Sequence, residues 1–192
     1  MNDFESIAER SCCGRAQVLI REGEEPLTTL FLLDGTAKLS INSIDGRRLI
    51  VGIARPGDIL GLSSAISGGA YEITGEAQFP CVVASMERHA FLDFLQTHSV
   101  AYHNVTRQLS LEHKRVHQQM RTLALTRSAP AKLARLLLDW STRDKHSTVG
   151  ARVQCSFTHS EIGEHIGVSR ETVTRCMLNF RDQGLVIQRG TI

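Results

Sequence analysis

Nowhere in the 192 residues is there a run of ~20 unbroken apolar side chains, so no membrane-spanning helix is expected. There is no glycine period and no weakly hydrophobic, highly charged tract, which excludes collagen-like and disordered chains. The opening MNDFESIAER lacks a basic segment followed by an apolar one, so no secretory signal is read and a cytoplasmic protein is expected. The five cysteines, Cys12, Cys13, Cys81, Cys155 and Cys176, are odd in number and scattered, without the C-x2-C spacing of zinc or iron–sulfur sites. They are expected to be reduced thiols, with the adjacent Cys12 and Cys13 leaving a redox role open. Residues 1–86 contain no histidine, which removes the ligand set of a β-barrel metal oxygenase. No catalytic residue, metal or cofactor is expected.

What is present is divided unevenly. The net charge of +2 conceals a split: residues 1–98 carry 8 basic and 13 acidic side chains, and residues 99–192 carry 14 and 7. An acidic half and a basic half point to different partners.

From residue 16 to about 86, short β-rich runs end in glycine: AQVLIR before Gly23, TLFLLD before Gly35, AKLSIN before Gly46 and RLIVGIA before Gly57. Strands at that regular spacing indicate an antiparallel β-sandwich or barrel rather than βαβ units. EITGEA and CVVASM continue the pattern, and Phe91, Leu92 and Leu95 in ERHAFLDFLQTH mark a closing helix. Residues 99 to about 125 lack glycine and proline and read as one long helix. On it Tyr102, Val105, Leu109, Val116 and Leu123 fall on heptad a and d positions, which favours the narrow seam of a parallel homodimer over a helix lying on its own β domain, where a wider apolar stripe is wanted. The i,i+4 pair His113 and His117 has a spacing that could bind a metal, but a solvated helix face is the favoured reading. Pro130 opens an amphipathic helix carrying Leu133, Leu136, Leu137 and Trp140, followed by a loop (KHSTVGA) and a strand RVQCSF.

The last forty residues carry the strongest signal. Thr158 and Glu161 form an S/T-x-x-E capping box, Ile162 and Ile166 face inward, Gly167 supplies a sharp turn, and Ser169 N-caps a second helix from Arg170. This is helix-turn-helix grammar. Along the second helix Val173, Cys176, Met177 and Phe180 form one face, and Arg170, Glu171, Thr174 and Arg175 form the other; Leu178 breaks the division. Arginine grips guanine O6 and N7 in a fork and glutamate accepts from cytosine N4, so the second face matches base-edge chemistry. Thr158, His159, Ser160, Ser169 and Thr172 are the expected phosphate contacts.

The string EIGEHIGVSRETVTR at residues 161–175 closely resembles the winged helix-turn-helix of the CRP/FNR family of bacterial transcription factors. The resemblance extends to REGE at 21–24, LFLLDGTAKLS at 30–40, RPGDILGL at 55–62 and the long helix. It implies an α+β protein with three parts: an antiparallel β-roll sensor domain of the cyclic-nucleotide-binding type (a double-stranded jelly-roll, residues 14–98), a dimerisation helix (99–126) and a winged helix-turn-helix (127–192). It also implies double-stranded DNA and a second copy of the chain as partners, RNA polymerase as a further one, and a small-molecule or redox signal. Arg170, Glu171 and Arg175 match the base-reading positions of the cyclic-AMP receptor branch, which implies TGTGA-like half-sites about 34 Å, one DNA turn, apart.

The sensor segment departs from that family pattern. Cyclic-nucleotide-binding members carry a Glu after the pocket glycine and then an Arg-Ser or Arg-Thr pair. Here Gly61 is followed by Leu62 and Ser63, the later segment reads Tyr71, Glu72, Ile73, Thr74, and no Arg or Lys lies between Arg55 and Arg88. A buried phosphate wants a guanidinium fork, so cyclic AMP is not expected as the effector. Amides near Gly68 and Gly69 remain candidates for a small anion. The leading helix is expected to be mostly absent, and L185-V-I-Q-R-G-T-I to supply one wing strand and the start of its return.

Overall fold

The glycine-punctuated runs form eight strands, and Gly23, Gly35, Gly46 and Gly57 all take the positive φ that a tight reversal demands. The structure, a computed structural model, describes residues 2–143 and 155–187. A short helix α1 (Asn2–Ile7) comes first, where little helix was expected. The strands are β1 (Glu9–Cys13), β2 (Val18–Ile20), β3 (Thr28–Asp34), β4 (Ala37–Asn42), β5 (Arg48–Ala54), β6 (Ile59–Leu60), β7 (Thr74–Ala77) and β8 (Cys81–Glu87). Helix α2 (Leu62–Ser67) interrupts them between β6 and β7.

Two antiparallel sheets result, ordered β1-β8-β3-β6 and β2-β7-β4-β5. Alternating residues from both sheets, among them Ile20, Leu32, Ala37, Ala54, Leu60, Ala77 and Val83, close one apolar core. A second core forms where α2, α3 (Arg88–Thr97) and the start of α4 (Ser99–Met120) pack, around Leu62, Met86, Phe91, Leu95 and Val105. Phe31 meets Phe4 and Phe91 edge-on at 4.8 and 5.7 Å, the favoured arrangement of aromatic quadrupoles.

Helix α4 loosens into a π-helical turn over Arg121–Leu125, and the chain turns extended at Thr126. Then come α5 (Ala129–Arg143), α6 (His159–Ile166) and α7 (Arg170–Asp182). Their apolar faces meet through Leu133, Leu136, Ile162, Ile166, Val173 and Phe157, with Trp140 stacked on Phe157 at 5.4 Å. The chain divides into two compact units, Met1–Arg115 and Val116–Ile192. Residues 155–157 and 185–187 form no strand. The remainder of the expected RVQCSF strand, the loop before it and the rest of the expected wing lie outside the described residues.

Candidate nucleic-acid interface and effector pocket

The two helices of the C-terminal unit are set by their own caps. Thr158 Oγ1 accepts the Glu161 N–H at 3.2 Å, and Glu161 Oε2 accepts the Thr158 N–H at 2.8 Å, so both members of the capping box are engaged. Gly167 ends α6 in the left-handed region at φ 68°. Gly163 is the tighter constraint: a Cβ there would stand 2.6 Å from the Val168 carbonyl oxygen, so only glycine lets the turn close on α6. Ser169 Oγ accepts the Thr172 N–H at 3.3 Å and starts α7.

Val173, Cys176 and Met177 are buried, whereas Arg170, Glu171 and Arg175 are exposed. With Thr174, Leu178, Asn179 and Asp182 they line a shallow concavity of about 620 Å³ along α7. Leu178, which broke the amphipathic pattern, is exposed on this same face. An apolar group there suits the thymine methyl that the major groove presents. Glu171 accepts hydrogen bonds from its own backbone N–H and from Ser169, with Arg170 close by, and these hold its carboxyl below the usual range.

Of the expected phosphate contacts, Thr158, Ser160 and Ser169 are exposed and Thr172 is half-buried. His159 is a correction. Its Nδ1 lies 2.9 Å from Thr174 Oγ1, and its Nε2 is buried without a partner. Thr174 Oγ1 donates its proton to the Arg170 carbonyl at 3.0 Å, so it accepts from His159, whose proton sits on Nδ1. The ring therefore ties α6 to α7 instead of facing outward to a phosphate.

Tyr71 lies at the centre of the residues expected to form the effector pocket. Tyr71 is 6% exposed, and its hydroxyl donates to the Thr28 carbonyl at 2.7 Å. Its ring lies against Gly61, where a Cβ would come within 2.5 Å of Tyr71 Cε1. Burial pushes the phenol above its ordinary value. Leu62 is buried and Ile73 packs on the sheet core, while Ser63 and Glu72 are exposed. Thr74 Oγ1 accepts the Glu22 N–H.

The amides of Gly68 and Gly69, expected to be open to an anion, donate to Ser64 O at 2.8 Å and Ser67 Oγ at 3.3 Å. Arg88, which bounds the cation-free segment in sequence, reaches back to it. Its Nε donates to the Ala65 carbonyl at 2.7 Å and its guanidinium lies beside Gly68, so it caps α2. Lys38 and Arg48 both close on Glu76 at 3.2 Å.

The expected dimer seam divides. Tyr102 and Val116 are exposed, but Val105 is buried in the second core of the N-terminal unit and Leu109 packs against it; Leu123 is half-buried. Gln108 and Glu112 turn the same way as Val105: the Gln108 amide accepts the Ile59 N–H at 3.1 Å and donates to Ile59 O at 3.0 Å and Glu112 Oε1 at 2.7 Å. One stripe exposed at heptad spacing runs through Tyr102, Thr106, His113, Val116 and Met120, with Leu109 between them. Val105 is thus unavailable to a second chain, because it is consumed by the molecule's own core.

Among the described residues no group of three or more His, Cys, Asp or Glu side chains could hold a metal, and no helix is long and apolar enough to cross a membrane.

Residues 13–98 match the model of the cyclic nucleotide-binding domain, and residues 131–192 match that of the Crp-like helix-turn-helix domain. The cAMP-activated global transcriptional regulator CRP of Pasteurella multocida is 26% identical over 173 residues, covering 90% of this chain and 82% of that protein. The transcriptional activatory protein AadR of Rhodopseudomonas palustris is 28% identical over 190 residues, covering 96% and 76%. Among solved structures, a CRP-family transcriptional regulator from Thermus thermophilus shares 27% identity at a TM-score of 0.76, covering 94% of this chain and 88% of that one. The c-di-GMP responsive regulator CLP of Xanthomonas campestris has the same fold at a TM-score of 0.84 and 20% identity, covering 98% and 94%.

Proposed function

The chain belongs to the CRP/FNR family of DNA-binding transcription regulators, and on that premise we propose that it acts as a homodimer reading TGTGA-like palindromic half-sites without gating by cyclic AMP. The observation that carries the reading is the doubly capped helix pair presenting Arg170, Glu171 and Arg175 together on the exposed side of α7. In this mechanism the two arginines fork onto guanines and Glu171 leaves its own helix N-terminus to accept from cytosine. Thr158, Ser160, Ser169 and Thr172 meet the flanking phosphates. Leu178 adds a thymine-methyl contact.

Cyclic AMP is excluded in this reading by Tyr71 at the centre of the expected pocket, and by the engagement of Arg88, Lys38 and Arg48 elsewhere. A different small-molecule or redox signal then shifts the dimer between DNA-competent and incompetent populations. RNA polymerase is the further partner, and the cytoplasm the site of action.

The test is a gel shift on a TGTGA palindrome and a scrambled duplex, with and without cyclic AMP. Arg170→Ala and Arg175→Ala should each cost about 1–3 kcal/mol of discrimination, roughly 5- to 150-fold. If both variants select the palindrome as well as the parent does, the base-reading assignment fails. Tightening by cyclic AMP would refute that exclusion.

A further inference from the structure

Cys13 and Cys81 belong to neither the DNA-reading face nor the pocket, yet they face each other. They are direct cross-strand partners at the end of the β1–β8 ladder, 6% and 3% exposed, and both sit in the core shared by the two sheets. Burial, reinforced by the Cys13 thiol, keeps Cys81 protonated above its ordinary range. Side chains directly opposite on antiparallel strands have Cβ atoms about 4.5–5.5 Å apart, and a disulfide needs about 3.5–4.5 Å. A small approach therefore suffices. Gly35 passes directly against Cys81, where a Cβ on residue 35 would stand 2.6 Å from Cys81 Cβ. Cys12 is exposed and pairs with Val82, as expected of the opposite strand face.

We propose that Cys13 and Cys81 form a dithiol that a peroxide-class oxidant closes into a reversible cross-strand disulfide. Cys13, as thiolate, attacks one peroxide oxygen, the O–O bond breaks, and a sulfenic acid forms with loss of hydroxide. The Cys81 sulfur then displaces the sulfenic oxygen, which leaves as water with the Cys81 proton. The two thiols lose two electrons to one hydrogen peroxide, and two waters result once the hydroxide takes up a proton. The bond ties the first strand to β8, which is flanked by β1 and β3 and runs directly into α3. The inference is independent of which DNA sequence is read.

The full chain is treated with hydrogen peroxide, its free thiols are blocked while still folded, and the unreduced digest is mapped by mass spectrometry. The expected product is a peptide of residues 11–15 joined through Cys13 to one containing Cys81. It should also form in Cys12→Ser, vanish with dithiothreitol, and raise the Tm of the oxidised protein above that of the reduced protein. Cys13→Ser and Cys81→Ser should each abolish the link. A bond through Cys12, a dimer linked between chains, or Cys13 and Cys81 both remaining alkylatable after unfolding would each overturn the proposal.

Discussion

His159 and Thr174 illustrate how one hydrogen bond reassigns two residues. A histidine in the first turn of α6 is well placed by spacing for a phosphate, and a threonine on the exposed face of α7 for a base. The 2.9 Å contact between them makes both positioning residues for the α6–α7 crossing, because the Thr174 proton is already used on the Arg170 carbonyl. His159→Ala and Thr174→Val should each reduce selectivity for the palindrome, and the double variant should be little worse than either alone. A coupling of about 0.5–3 kcal/mol is expected for groups in direct contact. His159→Asn, which can place an N–H near the Nδ1 position, should restore much of the loss. The slope of binding against salt should stay unchanged in all of them, whereas loss of a phosphate contact would lower it by about 1. A lowered slope in His159→Ala would return that residue to the DNA backbone.

At the scale of elements, α4 is the one whose role its sequence pattern describes least fully. Two interleaved heptad stripes run along it, and the fold turns one of them into the N-terminal core. Gln108 supplies the short edge strand β6 with a donor and an acceptor, as a neighbouring strand would. Glu112, beside it, pays for that docking: burial raises its carboxyl above the ordinary value and Asp58 adds to the effect, while Gln108 and Arg115 oppose it. An acid whose pKa is raised on folding holds its proton more tightly when folded. Stability is therefore full below the ordinary carboxylate range and declines as pH rises through the folded value. Glu112→Gln should melt higher than the parent near neutral pH, with the gain disappearing in acid. Thermal denaturation across pH measures this, and equal melting at neutral pH would show that the carboxylate is solvated.

At the scale of the whole molecule, the proposed reading requires two copies of the chain to place two reading helices on one palindrome. The exposed stripe on α4 supplies its seam in the proposed reading. Val116→Glu with Met120→Glu should sediment as a monomer at concentrations where the parent is a dimer. Val105→Ala should instead lower the Tm of the N-terminal unit and leave association intact. A double variant that still dimerises would remove α4 from the interface. The sequence alone determined the helix-turn-helix and the succession of glycine-bounded strands, because caps, glycine turns and side-chain periodicity are written within a few residues of where they act. It also placed Arg170, Glu171 and Arg175 on one face, since a single helix needs only its own period to do so. Tyr71 closing over Gly61, Arg88 returning to α2, Cys13 opposite Cys81, and the stripe of α4 spent on the core were decided only by the tertiary structure. Each joins residues whose proximity depends on how sheets pair and helices dock, and no local spacing encodes that.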